Sequence, residues 1–88
     1  MITIYSNATV QHAAEVRKIA KEFGVSKCSK KTSYVYVGSQ LTGVSKENAH
    51  ALMDAVKAAG YHIDSESTQR QLADKGLFSV MMVAKLAK

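Results

Sequence analysis

Apolar positions recur along this chain with two different periods. Val10, Ala13, Ala14, Val16, Ile19, Ala20 and Phe23 are spaced as on one side of a helix, and Gly24 stands where a left-handed residue closes one. The preceding Ser6-Asn7-Ala8-Thr9 offers side-chain oxygens that can cap the first turn. Ala49, Leu52, Met53, Val56 and Ala59 repeat that spacing between Ser45 as cap and Gly60 as stop, which predicts a second helix over 46–59. Strands show the shorter period. Ile2-Thr3-Ile4-Tyr5 is short and β-branched, Ser33-Tyr34-Val35-Tyr36-Val37 ends at Gly38, and Tyr61-His62-Ile63-Asp64 turns back after the second helix.

The last third follows the same logic. Gln69 to Lys75, stopped by Gly76, predicts a two-turn helix. Residues 77–86 read better as a strand than as a helix. In a helix Phe78, Met82 and Lys85 share a side, whereas in a strand Phe78, Val80, Met82, Ala84 and Leu86 make an unbroken apolar face. The predicted order of strand, helix, strand, helix, strand, short helix and strand defines an α/β (α+β) two-layer sandwich. It has about four strands, two main helices, a short third one and at least one βαβ crossover. Residues 1–88 form one domain.

That layering has a consequence for the uncovered side of the sheet. With Ile2, Ile4, Val35 and Val37 turned to the helices, Thr3, Tyr5, Tyr34 and Tyr36 face away. With Phe78, Val80 and Met82 also turned inward, Leu77, Met81 and Val83 join the far side. A domain of 88 residues has no third layer to cover such a patch, and exposed apolar patches mark interfaces.

Composition narrows the class. One cysteine cannot form an internal disulfide, which excludes the small secreted scaffolds and fits a reducing, cytoplasmic setting. Met1 to Tyr5 lacks the basic and apolar regions of a secretory signal, and the apolar run 77–84 is too short to span a bilayer, so no membrane is expected. The formal charge of +5 is unevenly spread. Residues 17–46 hold Arg17, Lys18, Lys21, Lys27, Lys30, Lys31 and Lys46 against Glu22, while residues 47–88 hold five charges of each sign. The excess centres on the loop Lys27-Cys28-Ser29-Lys30-Lys31, and such a concentrated field attracts polyanions.

Two contact surfaces follow. The tyrosine-rich sheet face, through Tyr5, Tyr34, Tyr36 and Met81, suits dimerisation or docking on a protein partner, as an inhibitor or adaptor would. The basic segment, through Arg17, Lys18, Lys21, Lys27, Lys30 and Lys31, suits nucleic acid, with lysines on phosphates and Tyr34 and Tyr36 stacking on bases. The tyrosine strand lacks the Lys/Arg-Gly-aromatic-Gly lead-in of RNA-recognition sheets, and residues 24–33 leave no room for the extra strand those sheets need. The amide and guanidinium groups of Gln69, Arg70 and Gln71 could read base edges, but Gly60 to Ser67 separates that segment from the second helix.

Catalytic chemistry finds little support, and the expectation is a non-enzymatic protein without cofactor. No glycine loop ends in Gly-Lys-Ser/Thr, and Asp64 and Glu66 lie in a polar loop without apolar neighbours. His12, Cys28, His50 and His62 show no paired ligand spacing, so no metal site is expected. Cys28 among lysines is expected to favour its thiolate, yet no motif supplies a base or oxyanion site beside it.

Overall fold

Thr9 begins the first helix by a reciprocal bond. Its Oγ1 accepts from the His12 backbone N–H at 3.2 Å, and His12 Nδ1 accepts from the Thr9 backbone N–H at 3.1 Å. Histidine thus fills the capping-box position usually held by Glu or Gln. In this computed structural model, which describes residues 5–6, 9–25, 27–31, 34–38 and 44–86, α1 spans Val10–Glu22. It ends in a Schellman motif: Gly24, at φ +80°, donates to the Lys21 carbonyl and Val25 to the Ala20 carbonyl. Ser45 caps α2 (Lys46–Ala58) by accepting from Asn48 N–H at 3.1 Å, with Glu47 in the first turn and Lys57 in the last, as the helix dipole favours.

The strands are β1 (Tyr5–Ser6), β2 (Lys27–Lys31), β3 (Tyr34–Gly38), β4 (Tyr61–Ile63) and β5 (Val80–Leu86), and α3 (Glu66–Asp74) lies between the last two. All pairings are antiparallel, and the spatial order is β4-β5-β3-β2. Val83 pairs with both Val35 and Ile63, so β3 and β4 flank β5 and run parallel to each other. The expected βαβ crossover is therefore present in split form, with α2 connecting β3 to β4 across an inserted antiparallel strand. Lys85 pairs with both Tyr61 and Ser6, which puts β1 on the β3 side of β5, near its end.

The helices form the second layer. α1 packs on β2 and β3, α2 on β4 and α1, and α3 on α2. Between the layers lie Val16, Ala20, Val35, Val37, Leu52, Met53, Val56, Ile63, Phe78, Met81 and Val83, all at most 2% exposed. Each large side chain among them stabilises the fold by about 1.5–3 kcal/mol on burial. The architecture is an α+β two-layer sandwich.

Three expectations change. Residues 27–31 are not a loop but an edge strand, hairpinned to β3 with Lys31 opposite Tyr34. Its alternation is masked because an edge strand with one wet side carries lysines that discourage edge-to-edge pairing. Residues 24–33 therefore do hold a strand. Second, the phase of β5 is the reverse of that expected: Met81 and Val83 face the helices, while Val80 and Met82 face away. Both rows of this segment are apolar, so pairing with β3 decides between them, and Phe78 reaches the core from outside the regular strand. Third, α3 begins at Glu66, three positions before Gln69, because Ser65 at φ 52° turns the chain directly from β4 into the helix. Ile2, Thr3 and Ile4 of the predicted first strand lie outside the described residues.

Candidate functional site

The hairpin register decides what shares the face turned away from the helices. Met82 stands opposite Tyr36, which stands opposite Ser29; Val80 stands opposite Gly38, which stands opposite Lys27; Lys31 stands opposite Tyr34. His62 and Ala84 extend the surface onto β4. Tyr34, Tyr36, Met82 and His62 are half-buried, Ala84 is buried, and Val80 remains 47% exposed. The two surfaces inferred separately from the sequence, tyrosine and lysine, thus meet on neighbouring strands. None of the five strands contains Asp or Glu; the described carboxylates sit on the helices and, as Asp64, in the turn after β4.

Not every expected contact residue belongs here. Met81 is 1% exposed on the opposite face, packed in the core, and is corrected from interface to core residue. Val80 and Met82 take its place; the signal for them in the sequence was the second apolar row of 77–86, which periodicity alone could not rank. Tyr5 pairs through its backbone with Leu86, and its side chain lies outside those described. The basic residues divide between two sides of β2. Lys27 is exposed and shares the tyrosine face by alternation, whereas Arg17, Lys18 and Lys21 are exposed on α1, over the helix side of the sheet. Lys30 is exposed on β2 opposite Val35.

Cys28 points to the helix side, half-buried, and its Sγ donates to the Ala13 carbonyl at 3.8 Å. Burial pushes its thiol above the ordinary value, and Arg17 opposes that shift without reversing it. The thiolate expected from the neighbouring lysines is not favoured. Desolvation of the half-buried thiol is the larger effect, because charges exposed to water act on it through a screened field.

The polar residues of the last third form a clasp between α2 and α3. Arg70 donates to Glu66 Oε2 at 2.8 Å, to Asp54 Oδ1 at 2.6 Å and to His50 Nδ1 at 3.0 Å. His50 Nε2 in turn donates to Asp74 at 2.7 Å, which fits a neutral ring with its proton on Nε2. Lys57 adds a 3.0 Å ion pair to Glu66, and the hydrogen bonds from Lys57 and then Arg70 hold the Glu66 carboxyl below its usual range. Asp54 is lowered as well, first by its hydrogen bond from Arg70. Arg70 is therefore committed to carboxylates within the fold and is not presented to a base edge. Glu66 belongs to a helix and an ion network, not to the polar loop expected.

Among the described residues no group of three or more His, Cys, Asp and Glu side chains converges as metal ligands would. No helix among the described residues is long and apolar enough to cross a membrane. A two-layer α+β domain with an aromatic sheet face beside a lysine-bearing edge is thus the description that fold and surface define. Comparison with protein-family models, with curated proteins and with solved structures gives no match.

Proposed function

We propose that this chain is a non-enzymatic binding module whose contact surface is the sheet face centred on Tyr34, Tyr36, Val80 and Met82. The observation that carries the reading is the placement of half-buried aromatic and thioether side chains on the side of the sheet against which α1, α2 and α3 do not pack. Aromatic residues and methionine are enriched at protein interfaces, and an apolar strip of this kind gains free energy when a partner excludes water from it. The partner that fits is a protein with an apolar centre and an acidic rim. Lys27 borders the strip, and two copies face to face would bring like charges together.

One observation favours a second reading. The register sets Lys31 opposite Tyr34 and Lys27 one row from Tyr36, the combination that lets bases stack while cations follow phosphates along a single strand. Light scattering on the wild type and on a Tyr34→Glu/Tyr36→Glu variant decides whether a second copy is the partner. The proposal expects monomers in both. Fluorescence polarisation with single-stranded oligonucleotides at two salt concentrations decides the second reading, which requires tyrosine-dependent binding with a steep salt slope.

A further inference from the structure

The lysines and tyrosines of the outer face leave one strongly basic feature unused, on the other side of β2. Arg17 and Lys21, one turn apart on α1, line a cleft of about 400 Å³ together with Gly24, Val25 and Cys28. We propose that this cleft is a separate binding site for a small organic phosphate of mononucleotide size.

Its lining has the required chemistry. Both cations are exposed, neither is ion-paired among the described residues, and no carboxylate lines the cleft. The Arg17 guanidinium presents a planar fork that matches two phosphate oxygens, and Lys21 adds a movable point charge. Val25 is 4% exposed and Cys28 half-buried, so the floor is apolar and suited to a ring or carbon skeleton. Gly24 has no side chain to narrow the rim, and a Cβ built there would meet nothing within 4 Å.

By itself the α1 C-terminus, with its partial negative charge, disfavours an anion. Here the Ala20 and Lys21 carbonyls are already engaged by Val25 and Gly24. These two carbonyls are therefore not bare, and the two full positive charges of Arg17 and Lys21 outweigh the partial charge that remains. The volume falls within the range of about 300–1,000 Å³ found for ligand sites and exceeds what bare phosphate fills, which is why the ligand is taken to carry an organic part.

The same phosphate chemistry is offered by a free phosphate ester and by the backbone of a nucleic acid, and the test separates them. Amide chemical shifts are followed while adenosine monophosphate, inorganic phosphate, adenosine or an oligothymidylate without terminal phosphates is added. The proposal expects adenosine monophosphate to produce saturable shifts confined to residues near 17–28. Inorganic phosphate should move the same amides with about tenfold weaker affinity, and adenosine should leave them in place. Arg17→Gln/Lys21→Gln should weaken binding by at least about tenfold, whereas Lys46→Gln should not change it. Adenosine monophosphate should also slow alkylation of Cys28 at the cleft floor. The proposal is overturned by shifts spread over Lys46, Lys57 and Lys75, by equal affinity in the double variant, or by saturation of these amides with the oligothymidylate alone. Because the tyrosine-face variant retains Arg17 and Lys21, binding in that variant distinguishes failure of this site from failure of the outer-face reading.

Discussion

The two faces of the sheet are made by alternate residues of the same strands, yet they have different physical fates. Val35, Val37, Met81 and Val83 are at most 1% exposed beneath two helices, whereas Tyr34, Tyr36 and Met82 are half-buried and Val80 is 47% exposed. On the covered face a side chain is held by close packing from both layers, so its removal leaves a cavity. On the outer face the described helices do not pack, and a side chain is held chiefly by its row partners. The difference teaches that the inner row specifies the fold, while the outer row is free to serve contacts beyond it.

The sharpest way to break this comparison is a pair of truncations one residue apart. Met81→Ala should cost about 2–4 kcal/mol in chemical denaturation, and Met82→Ala less than about 1 kcal/mol. Equal costs would show that the outer row is as fully packed as the inner. High pH probes the covered face through Tyr61, whose hydroxyl is buried. Burial, with the nearby Glu15 carboxylate, pushes its pKa up to about 12, while the Lys85 ammonium lies 4.7 Å from the ring centre. The folded state keeps this proton where the unfolded chain releases it. Stability is therefore unaffected below about pH 10 and should fall by up to about 2 kcal/mol between about pH 10 and 12. Tyr61→Phe should flatten that loss in denaturation curves recorded across the interval.

A smaller effect tests how closely the outer row is held at its edge. A Cβ at Gly38 would approach the Ser79 carbonyl oxygen to 3.0 Å, so Gly38→Ala should destabilise by about 1 kcal/mol although it adds apolar surface. The smallest change is expected at low pH, outside the sheet. Glu66 has a lowered pKa in the fold, so its contribution is present above its unfolded value and is lost as pH falls below about 4. Amide exchange in α3 should then accelerate before that in β3 or β5, and the effect should shrink in high salt.

Much of this arrangement was legible in the pattern of residues, and the remainder was hidden for identifiable reasons. Helices α1 and α2 combine a cap, an apolar stripe and a terminal glycine, three local signals that agree. The tyrosine strand alternates cleanly, and that period alone sets Tyr34 and Tyr36 on one face. β2 escaped because Lys27, Lys30 and Lys31 resemble a solvated loop; only pairing with β3 makes Lys27-Cys28-Ser29-Lys30-Lys31 a strand. The phase of β5 escaped because Met81 and Val83 form a row as apolar as Val80 and Met82. The clasp of Arg70 with Asp54, Glu66 and His50 joins residues on two helices, a proximity that no local period encodes.

The central claim, that the outer face is the contact surface, is tested most directly by affinity capture from the source cell after nuclease treatment. The bait is the wild type, and the control is the Tyr34→Glu/Tyr36→Glu variant, shown by circular dichroism to be folded. The account expects a nuclease-resistant protein partner that the wild type retains and the variant loses. Recovery of the same partners by both baits would contradict it.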